Sequence, residues 1–572
     1  MPSDLLFCLL LFPVVTFGLA WPLASRLALD PGEKLCATAM LSLLGAYLLA
    51  FASYHLGLPP RACWGLPALA AAGLIAQRRE LARVLRDPEV RALLGGQVIV
   101  AVWCLGWLSF VVSYSGDGWT GDWLEHWQRT RFFVEHQPLD TKFIAFYPLP
   151  ARPPLANLVT GAMLGPTGVT FPAYQLVTTL LNCLAFLPAG LLVRRFHLAV
   201  AGTQGESTRV AIGIFTLLVM LNPSFVENST FAWTKLITAF FVLNGLYFFL
   251  RANDPSPAPA AAFLCPVGLA AAVLTHYSAG PYVVLLAAAW FGVNHHRWQD
   301  PSFWRITAGQ CLIGGAVLAT WFGWSFATYG LGATLFANTG IAAPGPPAAS
   351  QLLRIALNLR DTLLPHFLHT VDPELIAQAS PWGYWRDWFF QLYQLNLLFI
   401  FGSVAWLVIL RELLRAWPLA PSRNRWFWTI FLGGVIVLGV AVVGGRNPWG
   451  FASICLQALM VLGLAYIAAR WDSLGRGWQL ALMAGTSFDF LAGIALQFGV
   501  QSYAFDHWFT PERTPVETAA SYTFYARMNL SGKLHAQLDF FGDVVRAPGG
   551  LVFALMVAIL TLAVARAARL PD

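Results

Sequence analysis

The sequence predicts an all-α fold, a polytopic transmembrane helical bundle, and three observations support this prediction. Of the 572 residues, 57% are hydrophobic and only 11% are charged, with a mean hydropathy of +0.61, whereas soluble domains carry about 25% charged residues. Apolar stretches long enough to cross a bilayer recur along the chain, and the charged residues gather in the gaps between them. A water-soluble fold of this size cannot bury so much apolar surface, so lipid is the solvent that the composition fits.

About fifteen segments qualify as spanning helices, because such a helix needs about 20 mostly apolar residues. The first begins MPSDLLFCLLLF and has no basic region ahead of its apolar run, so we interpret it as a span and not as a cleaved signal peptide. The predicted spans are 4–22, 34–54, 63–77, 93–113, 172–193, 208–221, 233–250, 260–275, 278–293, 306–326, 394–410, 428–443, 452–469, 479–499 and 549–565.

The cations predict the orientation of these spans in the membrane. Alternate short gaps hold about 21 of the 35 Lys and Arg residues, and loops of this kind stay in the cytoplasm. The N-terminus is therefore expected outside and the C-terminus in the cytoplasm, as an odd number of spans requires. Arg outnumbers Lys by 31 to 4, which favours a multi-pass protein of the bacterial inner (cytoplasmic) membrane.

Two classes of site are not expected from the composition. The net charge of +7 is spread over short loops and forms no basic face, so no nucleic-acid partner is predicted. The eight cysteines lie in or beside apolar runs without CxxC spacing, which predicts neither a zinc site nor a disulfide framework.

The chain divides into N-terminal transmembrane helices (1–92), a core (93–330) and C-terminal transmembrane helices (331–572). Three long outer loops, rich in Trp, Tyr, Pro and charge, are expected to contain interfacial helices. These loops are 114–171, 331–393 and 500–547.

The first outer loop contains the clearest interfacial helix, residues 121–136. Trp123, Trp127 and the pair Phe132–Phe133 would anchor it at the membrane surface. Glu125 and Arg129 are four residues apart and can form an ion pair on one helix face.

Asp122 opens this helix and has two interpretations. An Asp at a helix start commonly caps it, and from spacing alone that is the more frequent role. The alternative is a general base held at the membrane surface, facing a lipid-borne substrate. Asp117 has the same two interpretations in a weaker helical context. The following run YPLPARPPL is a rigid extended segment that can serve as a connector.

Four motifs follow one another on the predicted outer face. They are Gly121-Asp122-Trp123-Leu124-Glu125, Ala151-Arg152-Pro153-Pro154-Leu155, Trp233-Thr234-Lys235-Leu236 and Leu274-Thr275-His276-Tyr277-Ser278. Their order resembles the GT-C glycosyltransferases, closest to the family-39 group with the protein O-mannosyltransferases and aminoarabinose transferases. In that family an acidic residue opens the loop helix and a K/R-P-P-L-like segment follows. His276 stands where the family often has Lys, and Lys235 where it often has an acid. The resemblance covers roughly residues 93–330.

The resemblance implies transfer of a sugar from a polyprenyl-phosphate donor to an acceptor hydroxyl of a glycan, lipid or protein. A carboxylate must accept the hydroxyl proton, a role given to Asp122 with Asp117 second. The leaving phosphate needs positive charge, and the candidates are Lys235, His276, Arg446 and Arg152, all near the outer ends of spans. For each the competing role is snorkelling or interfacial anchoring. For Lys235 function is favoured, because a Lys beside an apolar run is costly unless an anion meets it.

Three further residues are candidates. Asp489 is placed near the middle of a span, where a carboxyl group is either functional or a protonated link between helices. Glu125 and His126 lie close to Asp117 and Asp122, but they are adjacent on a helix and face different directions. No cofactor and no essential metal is therefore predicted, although some GT-C enzymes use a divalent cation.

Two other functions stay open. A transporter or flippase of lipid-linked glycans would show broken helices and polar residues at mid-membrane depth in both halves, and the sequence has no visible repeat. An enzyme resembling an O-antigen ligase or polymerase would use a diphosphate-linked donor, and its outer arginines would matter more than Asp122.

Overall fold

The computed structural model describes the chain over most of its N-terminal two-thirds and over parts of the remainder. Every regular element within these residues is a helix, apart from an isolated bridge between Phe143 and Tyr147. The all-α helical bundle predicted from the sequence is thereby confirmed. The described residues are 2–108, 121–143, 147–201, 205–337, 352–353, 355–356, 403–416, 422–442, 455–494, 555–556 and 558.

The described residues form twenty α-helices. The first ten are α1 (Pro2–Gly18), α2 (Trp21–Ala24), α3 (Pro31–His55), α4 (Gly65–Ala76), α5 (Arg78–Arg86), α6 (Pro88–Leu108), α7 (Gly121–Glu135), α8 (Leu155–Leu164), α9 (Phe171–Cys183) and α10 (Phe186–Ala201). The next ten are α11 (Glu206–Met220), α12 (Pro223–Thr230), α13 (Lys235–Ala252), α14 (Pro259–Thr275), α15 (Gly280–Val293), α16 (Pro301–Phe336), α17 (Ser403–Ala416), α18 (Ser422–Val442), α19 (Leu456–Ala469) and α20 (Arg476–Ile494).

Six of the described helical segments are long and apolar enough to cross a membrane, and five shorter apolar helices accompany them. A seventh span exists if α11 and α12, which meet at a bend of 70°, count as one. Fourteen predicted spans coincide at least in part with described helices, whereas most of 549–565 lies outside the described residues. The six segments are Ser3–Ala24, Pro31–His55, Pro88–Leu108, Phe171–Ala199, Lys235–Ala252 and Pro301–Phe336.

Antiparallel packing of α13 against α14 forms the centre of the bundle. Gly245 and Gly268 face each other there, and a Cβ on Gly268 would lie 3.1 Å from the backbone nitrogen of Gly245. Small residues at such a contact let two helix backbones approach closely. The close contact fixes the start of α13 beside the end of α14, and therefore Lys235 beside His276.

Ion pairs fasten the opposite end of the bundle. Glu33 on α3 accepts hydrogen bonds from Tyr247 and Arg251 on α13, each at 2.9 Å. Further pairs link α3 to α5, α6 to α10, and α10 to the residues after α13. These are Lys34–Glu80, Arg194–Glu89 and Arg195–Asp254. We call the end of the bundle that contains these ion pairs the paired end.

Helix α16 is 36 residues long and lies mostly at the surface of the bundle. Its apolar side chains include Leu312, which is strongly exposed as expected for a lipid-facing position. Gly330 near its C-terminal end has φ +78°, a conformation that favours glycine and interrupts the helix. Just before it, the hydroxyl of Tyr329 donates to the carbonyl oxygen of Leu139 at 3.0 Å.

Candidate active site

The helix predicted over 121–136 exists as α7, but its surroundings differ from the prediction. Phe132 and Phe133 are buried in the protein core and do not serve as lipid anchors. Glu125, His126 and Arg129 are also buried, at 0%, 1% and 1% exposure. The helix is therefore enclosed by protein over much of its circumference. An amphipathic sequence pattern cannot distinguish a lipid interface from a polar site inside a protein.

Arg129 connects α7 to the proline-rich segment that follows it. Its guanidinium bonds to Glu125 Oε1 at 2.7 Å and donates to the carbonyl oxygens of Leu149 and Pro148 at 2.6 and 3.0 Å. It also lies 4.4 Å from the ring centroid of Phe143. A buried arginine with this many partners is fully compensated, which makes the burial of the ion pair tolerable.

The proline-rich segment is held on both sides and is more than a connector. Besides the two bonds from Arg129, the carbonyl oxygen of Pro150 accepts a hydrogen bond from the Tyr277 hydroxyl at 3.1 Å. Three consecutive carbonyl groups are thus fixed by side chains from α7 and from the turn after α14. The consequence is a defined position for Arg152, whose Nε lies 3.4 Å from Glu125 Oε2.

Glu125 remains ionised despite its burial. Burial alone would raise the pKa of this carboxyl, but Arg129, Arg152 and His126 outweigh it and the pKa is lowered. Glu125 therefore acts as the negative counter-ion of two arginines. A group with two cationic partners in fixed geometry is a poor proton acceptor for a substrate hydroxyl.

His126 lies next to Glu125 and is turned towards α8. Its Nδ1 is 3.3 Å from Oδ1 of Asn157, whereas its buried Nε2 has no hydrogen-bond partner among the described residues. Burial, with the charges of Arg152 and Arg129, lowers the pKa of His126 to about 3, although Glu125 opposes the shift. The imidazole is therefore neutral at physiological pH.

His276 follows α14 and starts a 3-10 turn, Tyr277–Ala279. Its Nδ1 accepts a hydrogen bond from the Ser278 backbone N–H at 3.1 Å, and within the described part of the chain its buried Nε2 has no hydrogen-bond partner. Burial and the positive charges of Lys235 and Arg152 lower the pKa of His276 well below its usual range. This imidazole is also neutral.

Lys235 is the first residue of α13 and is only 2% exposed. Its ammonium group lies 4.9 Å from the ring centroid of Trp233. A cation at a helix N-terminus adds to the positive end of the helix dipole, which is the reverse of the usual stabilising arrangement. The combination of Lys235 with the start of α13 therefore creates a positive potential that suits an anion.

Cys455 ties the start of α13 to the His276 turn. Its thiol donates to the carbonyl oxygen of Lys235 and its backbone N–H donates to that of Ser278, both at 3.2 Å. Its own carbonyl oxygen accepts from the Tyr282 hydroxyl at 2.6 Å. The sequence analysis did not anticipate this role, because a single cysteine at the start of an apolar run carries no signal of a long-range contact.

Six side chains converge at this end of the bundle, and we call them the cationic cluster. Three are cations, two are neutral imidazoles and one is a carboxylate, so the net charge is positive. The cluster is contiguous, because Arg152 lies 3.4 Å from Glu125, Tyr277 beside His276 bonds to Pro150, and Cys455 bonds to the carbonyl groups of Lys235 and Ser278. Its members are Glu125, His126, Arg129, Arg152, Lys235 and His276.

The other predicted site residues are placed as follows. Asp122 is the second residue of α7, but its side chain lies outside the described residues, as do Asp117 and Arg446. Asp489 is on α20 and 2% exposed. Within the described ranges, no three His, Cys, Asp or Glu side chains gather closely enough to hold a metal ion. The absence of an essential metal stays a prediction.

A second buried acid, which the sequence analysis did not identify, is Glu227 on α12. It is 2% exposed, and its Oε2 has no hydrogen-bond partner among the described residues. The polar run around it reads as an outer loop, yet it forms a helix that turns back into the protein. Polar side chains of this helix bond to backbone groups of its preceding turn; for example, the Ser229 hydroxyl donates to the Phe225 carbonyl oxygen at 2.8 Å.

Comparisons with known proteins give a fold-level likeness. No family model matches the chain, and no curated protein matches it. ArnT from Cupriavidus metallidurans bound to undecaprenyl phosphate is 15% identical, covering 82% of this chain and 75% of that chain, with a TM-score of 0.42. The apo state of that protein is 16% identical, covering 82% of this chain and 74% of that chain, with a TM-score of 0.42.

Proposed function

We propose that the chain is a membrane glycosyltransferase that moves a sugar from a polyprenyl-phosphate donor to an acceptor hydroxyl on the outer face of the membrane. The observation that carries this proposal is the cationic cluster. Two buried cations (Lys235 and Arg129), the partly buried Arg152 and two neutral imidazoles surround one carboxylate near the start of α13 and the end of α14. A lipid phosphate, which is anionic and sits at headgroup depth, is the chemistry that such a cluster suits.

The reaction is written as a substitution at the anomeric carbon. The acceptor oxygen bonds to that carbon while the bond from carbon to phosphate oxygen breaks. The hydroxyl proton passes to a carboxylate, assigned to Asp122 with Asp117 second. The electron pair of the broken bond stays on the phosphate, where Lys235 and Arg152 stabilise the charge. Arg446 is proposed as a further cation for the same phosphate.

The test is sugar transfer in proteoliposomes supplied with a panel of radiolabelled polyprenyl-phosphate sugars and a membrane glycolipid extract. Wild type is compared with Asp122→Asn, because Asn is accepted at helix starts but cannot take up a proton. The matched control is Asp140→Asn, an exposed acid in the same outer loop. Transfer by wild type and control, with loss in the Asp122 variant and an unchanged melting temperature, is the expected result. Equal activity in all three proteins would show that Asp122 does not accept the hydroxyl proton.

A transporter of lipid-linked glycans is the second candidate, and one observation favours it. The bend of 70° between α11 and α12, with Glu227 buried beside it, resembles the broken helices that transporters use to bind substrates. The same proteoliposomes distinguish the two functions. Movement of labelled lipid between leaflets without any change in its sugar would support transport and exclude the transferase.

A further inference from the structure

Two buried imidazoles of the cationic cluster each use one ring nitrogen and leave the other without a partner among the described residues. His126 is 1% and His276 is 6% exposed, and both unused atoms are Nε2. A buried polar atom without a hydrogen bond costs about 1–3 kcal/mol, so such an atom generally binds a ligand or an ordered water. The inference rests on the proposed function, because it assigns these two atoms to parts of the donor.

The protonation of His276 follows from its neighbours. Its Nδ1 accepts the Ser278 backbone N–H, so Nδ1 must carry a lone pair. The ring is neutral, and its single proton is therefore on Nε2. His276 offers a hydrogen-bond donor that carries no charge, next to the ammonium group of Lys235.

His126 has the opposite arrangement. Its Nδ1 faces Oδ1 of Asn157, and a carbonyl oxygen only accepts hydrogen bonds, so Nδ1 carries the proton. Its Nε2 is left with a lone pair. His126 therefore offers an acceptor, which phosphate oxygens cannot use and which a hydroxyl group can.

We propose that the two imidazoles recognise the two halves of the donor headgroup, with His276 Nε2 donating to a phosphate oxygen and His126 Nε2 accepting from a hydroxyl of the sugar. The geometry supports this division, because Tyr277, next to His276, bonds to Pro150 at 3.1 Å, and Arg152 of the same segment lies 3.4 Å from Glu125, next to His126. The cations attract any phosphate, whereas the lone pair of His126 requires a hydroxyl in a fixed position. His126 then determines specificity for the sugar, and His276 binds the phosphate.

The chain allows a matched pair of substitutions at each position. Asn places its amide near Nδ1 of a histidine, and Gln places its amide near Nε2. His276→Asn keeps an acceptor for the Ser278 N–H and loses the donor, whereas His276→Gln restores a donor. His126→Asn keeps a partner for Asn157 and loses the acceptor, whereas His126→Gln restores one. His295→Asn, at an exposed histidine after α15, is the control.

The first measurement is the dissociation constant of sugar-free polyprenyl phosphate, with polyprenol as the uncharged comparison. His276→Asn is expected to weaken binding by about 10-fold to 100-fold, as for the loss of a hydrogen bond to a charged group. His276→Gln is expected to recover most of it. His126→Asn and the His295 control are expected to change it less than about twofold, since no sugar is present.

The second measurement is the KM of the sugar-charged donor. His126→Asn is expected to raise it about 10-fold, with partial recovery in His126→Gln. Unchanged phosphate binding in His276→Asn, or equal loss of sugar-free and sugar-charged ligand in His126→Asn, would overturn the division. If no donor supports transfer but the variants rank as expected in binding polyprenyl phosphate, the proposed glycosyltransferase reaction is wrong and the role of His276 in phosphate binding stands. If transfer occurs and the wild type binds no polyprenyl phosphate, the inference fails by itself.

Discussion

The guanidinium of Arg129 and the carboxylate of Glu125 form an ion pair at 2.7 Å in which neither side chain is more than 1% exposed. The same guanidinium holds the carbonyl groups of Pro148 and Leu149. The same carboxylate contacts Arg152. One ion pair on α7 thus sets both the path of the proline-rich segment and the position of a cation proposed to meet the substrate.

Replacement of Arg129 by Met is expected to lower the free energy of unfolding by about 3–5 kcal/mol, because it leaves the Glu125 charge buried with only Arg152 beside it. Arg131→Met is the matched control. Arg131 pairs with Glu135 on the same helix at the same spacing, but both are 38% exposed, so a loss of about 0–1 kcal/mol is expected. Thermal unfolding in detergent measures both. Similar melting temperatures for the two variants would show that the buried pair is not a structural link.

Lys235→Met is expected to reduce kcat/KM for sugar transfer about 100-fold or more, because a buried positive charge beside the leaving phosphate is lost. Lys142 is an exposed lysine of the first outer loop, and Lys142→Met is expected to change the rate less than about twofold. Transfer kinetics with a saturating acceptor give the comparison. Full activity in the Lys235 variant would show that the leaving phosphate does not bind at the start of α13.

The stability of the protein is expected to fall as the pH drops below about 6.5. The pKa of His126 is lowered to about 3 and that of His276 is lowered well below its usual range. The unfolded chain therefore takes up protons that the folded protein excludes. The loss is up to about 1.4 kcal/mol per pH unit for each histidine, and for His126 it continues towards pH 3.

Melting temperatures measured from pH 7.5 downwards test this dependence. Around the two imidazoles lie the cationic side chains of Lys235, Arg129 and Arg152 and the carboxylate of Glu125. The lowered pKa of Glu125 adds its own loss only at more acidic pH. A double variant, His126→Asn with His276→Asn, is expected to have a flatter profile between pH 6.5 and 5. The same slope in wild type and double variant would assign the dependence to other groups.

Glu33→Gln at the paired end is expected to destabilise the protein without changing catalysis. Arg251 and Tyr247 both donate to this carboxylate, and loss of such charged hydrogen bonds costs about 1.5–3 kcal/mol. Lys235 and Arg251 are separated by 16 residues of α13, or about 24 Å, so the site is remote. Glu206→Gln, at an exposed acid that begins α11, is expected to cost less than about 0.5 kcal/mol. A fall in kcat with unchanged stability would contradict the separation of the two ends.

The predicted orientation places the cationic cluster outside and the paired end in the cytoplasm. In a Cys311→Ser background, Leu139→Cys is expected to react with an impermeant maleimide on intact spheroplasts. Trp298→Cys, near the paired end, is expected to react only after permeabilisation. Both parent side chains are exposed. The reverse pattern would put the cluster in the cytoplasm and exclude transfer on the outer face.

The sequence was sufficient for the fold because apolar length is a local property. The span predicted at 34–54 is α3, Pro31–His55, and the helix predicted at 121–136 is α7, Gly121–Glu135. The contacts of the site were not predictable in the same way. Arg129 bonds to residues 19 and 20 positions away, and Cys455 bonds to Lys235 across 220 positions. Such contacts depend on which helices pack together, and no periodicity records that.

Helix α16 couples the geometry of the site to the thickness of the membrane. Its uninterrupted part, from Pro301 to Tyr329, has 29 residues and is about 44 Å long, whereas the hydrocarbon layer is about 30 Å thick, and a helix that is too long adapts by tilting or by extending into the headgroups. Through Tyr329, which bonds to Leu139, its far end is joined to the segment that leads from α7 to Arg152. Bilayers of different thickness will tilt α16 differently and pull on that segment. The choice of lipid for reconstitution therefore belongs among the variables of every assay described above.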